Sequence, residues 1–91
     1  MNYETGDILE INDKEQVILA LFSSEGKDYA FLNEIENDDV TDNYYIAELI
    51  DEDDYEVITD EKELNRLFPL AQESLKKVMD ENGIDYSSNN Q

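Results

Sequence analysis

The apolar positions of this chain fall first at a spacing of two, then at a spacing of three and four. The longest charge-free apolar run is Gln16–Phe22, followed by the polar Ser23-Ser24-Glu25-Gly26 and the return Lys27-Asp28-Tyr29-Ala30-Phe31-Leu32. Two apolar runs joined by a short Gly-containing loop predict a β-hairpin at the centre of a sheet. The β-branched pair Val17-Ile18 favours strand over helix. Val17, Leu19 and Leu21 alternate with Ile18, Ala20 and Phe22. Both faces are apolar, as in a strand covered on two sides. Gly26 supplies the positive φ that a four- or five-residue loop needs.

The flanks carry weaker versions of the same alternation. Asp7–Ile11 reads as a short strand, followed by the turn-like Asn12-Asp13-Lys14. Asp28–Ile35 is the return strand, with Tyr29, Phe31 and Ile35 on one face and Asn33 interrupting. Glu36–Asn43 reads as a solvated, mobile loop whose single apolar residue is Val40. Tyr44–Ile50 reads as a further strand, Asp51–Asp54 as an acidic turn, and Tyr55–Thr59 as a last short strand.

The period then changes. Leu64, Leu67, Phe68, Ala71, Leu75, Val78 and Met79 share one helical face. Asp60 with Glu63 resembles a capping box, Lys76 and Lys77 suit the C-terminal end of the dipole, and Gly83 is a natural residue just past it. Pro69 interrupts: inside a helix it removes a hydrogen bond and clashes with the preceding turn, at about 3 kcal/mol. A kink or a break is expected there, with Leu70 packed inside the bend.

The pattern therefore predicts an α+β fold: an antiparallel meander of four or five strands over residues 7–59, with a C-terminal helix over residues 60–82, kinked or broken at Pro69, on one face. Residues 7–82 form one domain, residues 1–6 a flexible N-terminus and residues 83–91 a disordered tail. The helix covers either the Val17 face or the Ile18 face. Strand curvature or a second copy of the chain covers the other.

Charge changes the picture most. Among 91 residues are 25 acids and 6 bases, for a net charge of −19. Residues 1–60 hold 19 acids against Lys14 and Lys27; residues 61–91 hold 6 acids against four bases. Such a field repels nucleic-acid phosphates and anionic membranes and attracts basic partners. It also keeps a small protein soluble, and the bland expectation is that it does only that.

Chemistry adds exclusions. Without Cys or His the chain has no disulfide, no thiolate metal site and no histidine base. Gly occurs only at positions 6, 26 and 83, so there is no phosphate loop. Carboxylate pairs are so abundant that none signals catalysis. Asp38-Asp39-Val40-Thr41-Asp42 and Asp51-Glu52-Asp53-Asp54 are oxygen-rich but lack calcium-loop spacing. No enzyme, metal or cofactor is expected. Tyr29, Tyr44, Tyr45 and Tyr55 suit either sheet packing or a contact surface. The N-terminus has neither the basic nor the apolar region of a signal peptide, and no apolar run approaches a membrane span. A cytoplasmic protein is the simplest expectation.

Three segments, Glu25-Gly-Lys-Asp-Tyr-Ala-Phe-Leu32, Tyr44-Tyr-Ile-Ala-Glu48 and Tyr55-Glu-Val-Ile-Thr-Asp-Glu-Lys-Glu-Leu64, together resemble the small acidic bacterial proteins, mostly of Firmicutes, grouped as domain of unknown function 1292. The likeness covers about residues 7–80. It implies a cytoplasmic protein with no known enzymatic activity and brings no catalytic residues. Genes of that family often lie beside one for a Holliday-junction resolvase-like protein, which implies a place near DNA metabolism. Pro69 and the Ser/Asn-rich tail depart from the family pattern.

The function expected is a protein-interaction or regulatory module that binds a basic protein, not nucleic acid or membrane directly, as a monomer or weak homo-oligomer. Its contact residues are expected among Asp38, Asp39, Asp42, Asp51, Glu52, Asp53 and Asp54. The alternatives are a DNA mimic that occupies a DNA-binding protein's groove, and a structural self-associating domain.

Overall fold

The computed structural model describes residues 3–51 and 54–81. Five strands, β1 (Ile8–Ile11), β2 (Lys14–Ser24), β3 (Lys27–Glu36), β4 (Asp39–Leu49) and β5 (Tyr55–Val57), precede one helix, α1 (Glu61–Glu81). The strands form one antiparallel sheet in chain order, β1-β2-β3-β4-β5. This is the α+β meander with a C-terminal helix that the apolar pattern predicts.

Three of the connections are two-residue turns with positive φ at both positions: Asn12-Asp13 (53° and 66°), Glu25-Gly26 (54° and 80°) and Asn37-Asp38 (54° and 68°). That is the turn whose twist matches the strands it joins, and Asn, Asp and Gly tolerate it best. Two expectations are corrected. The loop after Phe22 is not four or five residues long, because Ser23 and Ser24 pair with Asp28 and Lys27. Glu36–Asn43 is not a mobile loop: Asp39 already begins β4, and Val40 lies opposite Ile35. Composition read this segment as a loop, whereas the Asn-Asp dipeptide determines a tight hairpin.

A bulge decides which side chains go where. Ile18 pairs with Leu32 but Ala20 with Phe31, so Leu19 is an extra residue in β2. The alternation reverses across it. Ile18 and Leu21 pack with Leu9, Ala30, Leu32, Ala47 and Leu49 on one face; Leu19, Ala20 and Phe22 pack with Tyr29, Phe31 and Ile46 on the other. Neither face predicted for β2 is intact, since strict alternation holds only up to the bulge.

The sheet curls. The Tyr55 hydroxyl in β5 donates to the Glu10 carbonyl of β1 at 2.7 Å, which brings the two outermost strands together. The Ile18 face is thereby concave and largely closed by the sheet itself. Strand curvature, rather than a second copy, covers it. Tyr3 completes this cluster, edge-on to Tyr55 at 6.3 Å. Residues 3–6, expected to fray, are held: the Gly6 amide donates to the Ile18 carbonyl at 2.8 Å, and the Glu4 amide to Asp7 Oδ2 at 2.9 Å.

The convex face receives α1 through Leu64, Leu67, Phe68, Leu70, Ala71, Leu75 and Val78. Asp60 caps the helix, its Oδ2 accepting from the Glu63 amide at 3.2 Å. The reciprocal half of the capping box is replaced, since Glu63 pairs with Arg66 at 2.8 Å. The helix runs unbroken through Pro69, which sits exposed on its outer side. The final turn lacks a basic residue; Lys76 and Lys77 lie above it. Gly83 and the tail lie outside the described residues. Among the described residues no helix is long and apolar enough to cross a membrane.

Candidate functional site

The acidic residues singled out from sequence fall at the two ends of β4. Asp38 occupies the β3–β4 turn, Asp39 opens β4 opposite Glu36, and Asp42 lies a few residues on. Asp51 and Asp54 lie beyond the other end, where Asp51 Oδ1 accepts from the Asp54 amide at 3.0 Å and the Ile50 amide donates to the Asp54 carbonyl at 2.9 Å. Glu52 and Asp53 lie outside the described residues. An eleven-residue strand separates the two groups by roughly 30 Å, so the fold does not gather them into one site. Among the described residues no group of three or more acids is arranged to hold a metal ion.

A second irregularity shapes the Asp39 end. Asn33 pairs with Tyr44, but Ile35 pairs with Val40, so Thr41, Asp42 and Asn43 together oppose Glu34. Side chains fix this bulge. Asn33 Nδ2 donates to the Thr41 carbonyl at 2.9 Å and to the Asn43 carbonyl at 3.0 Å. Thr41 Oγ1 donates to the Glu34 carbonyl at 3.0 Å. On the concave side the buried Glu34 carboxylate accepts from Asn43 Nδ2 at 3.3 Å and from the Tyr45 hydroxyl at 3.4 Å. Buried polar groups are held this way because an unmet one is costly.

The result is a row of side chains on the convex face beyond the end of α1's cover. Ile8, Val17, Asn33 and Tyr44 are successive cross-strand partners over four strands. Beside them runs a second row, Glu10, Glu15, Ile35 and Val40. Ile8 is 50% exposed, Tyr44 45% and Val40 66%. These are three of the four large exposed apolar side chains among the described residues. Tyr44 stacks on Phe31 at 5.7 Å, and Phe31 meets Phe68 edge-on at 5.8 Å. Phe31, Tyr44, Phe68, Gln72 and Leu75 line a shallow cleft between the strip and α1.

This strip is not visible in the sequence. Composition puts Val40 in a loop and makes Tyr44 one of four equivalent tyrosines; in the fold Tyr29 is buried, Tyr45 and Tyr55 are half-buried against the concave cluster, and Tyr44 is exposed. Recognising Asn37-Asp38 as a tight turn would have set Val40 against Ile35 and exposed the pattern.

Cations serve the fold. Arg66 on α1 donates to Ser24 Oγ at 2.8 Å and pairs with Glu25 at 3.2 Å, tying the helix to the β2–β3 turn. Its hydrogen bond to Glu63 raises its already high pKa, with the nearby Glu25 charge adding to the effect. Lys14 pairs with Glu36 at 3.8 Å beside the strip. No family model, no curated protein and no solved structure matches the chain.

Proposed function

We propose that this chain is a non-catalytic, cytoplasmic interaction module whose acidic surface engages a basic protein. One observation carries the reading: the acidity is left largely uncompensated by the fold. The ion pairs among the described residues join Lys14 and Arg66 to Glu36, Glu25 and Glu63, against a net charge of −19. A field of that size costs stability through self-repulsion and accelerates capture of a basic partner. The proposed kinship with the small acidic family of domain of unknown function 1292 fits the same reading.

DNA mimicry is the second reading. It is favoured by Asp39 and Asp42 standing on a strand rather than in a loose loop, since mimicry needs carboxylates on a fixed frame. Self-association loses its original motive, because the curled sheet covers the second face of β2.

The test is retention of host proteins on the immobilised chain at low and high salt, followed by titration of each purified candidate. A basic protein bound at low salt, with affinity falling as salt rises, supports the module. Displacement of that protein by duplex DNA selects mimicry. Absence of any specific, salt-sensitive partner overturns both.

A further inference from the structure

Several regions among the described residues could receive a ligand. The buried Glu34 and Gln16 side chains face each other across β3 and β2 on the concave side, but the bulge of β4 already engages Glu34. The cleft around Arg66 mixes both charges, and Arg66 itself is engaged by Glu25 and Glu63. Asp38, Asp39, Asp42, Asp51 and Asp54 are exposed and enclose no cavity of their own. The convex strip combines exposed apolar area, a defined shape and a charged rim.

We propose that the strip formed by Ile8, Val17, Ile35, Val40 and Tyr44 is the docking surface for a basic amphipathic segment of a partner protein, one with apolar anchors flanked by Lys or Arg. The proposal rests on the interaction-module reading and gives it an address. Four strands at their usual spacing make the strip about 14 Å long. That is the length of about nine residues of helix. The cleft at Phe31, Tyr44, Phe68, Gln72 and Leu75 continues it towards α1 and offers a seat for one aromatic or leucine side chain.

Charge identifies the occupant. Glu10 and Glu15 lie in the second row itself, and Asp38, Asp39 and Asp42 cluster at the same end of the sheet. Lys14, the nearby cation, is engaged with Glu36. A second copy of the chain would set these carboxylates against their own kind, and like charges face to face oppose association. Nucleic acid and anionic lipid are repelled for the same reason. A segment whose apolar residues fill the strip and whose cations meet the rim satisfies both features at once.

The probe is a synthetic fourteen-residue amphipathic peptide of leucine and lysine, compared with an oligolysine of equal charge. Both are titrated into the uniformly ¹⁵N-labelled full chain in 150 mM salt. The expected result is tighter binding of the amphipathic peptide by about tenfold or more, with amide shifts centred on Ile8, Val17, Ile35, Val40 and Tyr44. Val40→Ser and Ile8→Thr, both at exposed positions, remove most of that advantage and leave oligolysine binding unchanged. Equal binding of the two peptides, with shifts spread over Asp38, Asp51 and Asp54, overturns the strip while leaving the acidic module standing. Failure of both peptides to bind even at low salt overturns the module as well. Concentration-dependent mass of the free chain, abolished by Val40→Ser, overturns the assignment by making the strip a self-association face.

Discussion

Tyr55 and Glu10 are 45 residues apart and lie on the two outermost strands, yet one hydroxyl joins them twice: it donates to the Glu10 carbonyl at 2.7 Å and accepts from the Glu10 amide at 3.2 Å. The contact ties together two edges that otherwise carry unpaired backbone groups. Tyr55→Phe removes the hydroxyl and keeps the ring against Tyr3. The expected loss is about 1 kcal/mol, read in thermal melts as a drop of about 4–8 °C in Tm for a domain of this size. Faster hydrogen exchange at the Glu10 amide goes with it. An unchanged exchange rate there contradicts the closure.

Asn33 is buried and spends its amide on two carbonyls of the bulged strand. Asn33→Asp replaces the donor with oxygens that face those carbonyls, at an expected cost of about 3 kcal/mol near neutral pH. Burial without a donor raises the new carboxyl's pKa in the folded state. Its protonated form restores one donated bond, so the deficit relative to the parent shrinks as pH falls below that raised pKa and returns as pH rises through it. Paired denaturation curves of the two proteins across the acid range test this. A deficit of constant size places the damage elsewhere.

Asp38 holds φ at 68° in the turn that brings Val40 opposite Ile35. Asp38→Gly creates the Asn-Gly pair best suited to both left-handed positions. A gain of about 0.5–1 kcal/mol is expected from relief of backbone strain. Asp38→Ala deletes the same charge and keeps the strain, so equal stability of the two variants attributes the effect to charge alone.

Pro69 stands inside a continuous helix on its exposed side. Pro69→Ala restores the amide that can bond to the Asn65 carbonyl and is expected to add about 1–3 kcal/mol. Circular dichroism melts report it directly. A loss of stability on this change instead assigns Pro69 a packing role that its exposure does not suggest.

Much of the fold was legible in the sequence, because period-two and period-3.6 spacing translate directly into strands and a helix. The strand order followed from short connections. What escaped were single-residue insertions. Leu19 looks like any alternating residue, yet as an extra residue it hands Ala20 and Phe22 to the helix and Leu21 to the concave side. Thr41, Asp42 and Asn43 look like loop by composition, yet Asn33 and Glu34 hold them in a strand. The acidic residues were visible at once, but their separation by the length of β4 was not, and the apolar strip emerges only when four strands are set in register.

The order of strands in space is their order along the chain. Each hairpin finds its partner within a few residues, so most contacts are local and the entropy of closing large loops is avoided. A ribosome can therefore release this sheet strand by strand, with no segment waiting unpaired for one not yet made. Two events join distant parts of the chain: the return of Tyr55 to Glu10 and Tyr3, and the arrival of α1 on the convex face of the sheet. Folding on this topology resembles a zipper with a clasp, and the expected outcome is that resistance to proteases follows closure of the clasp.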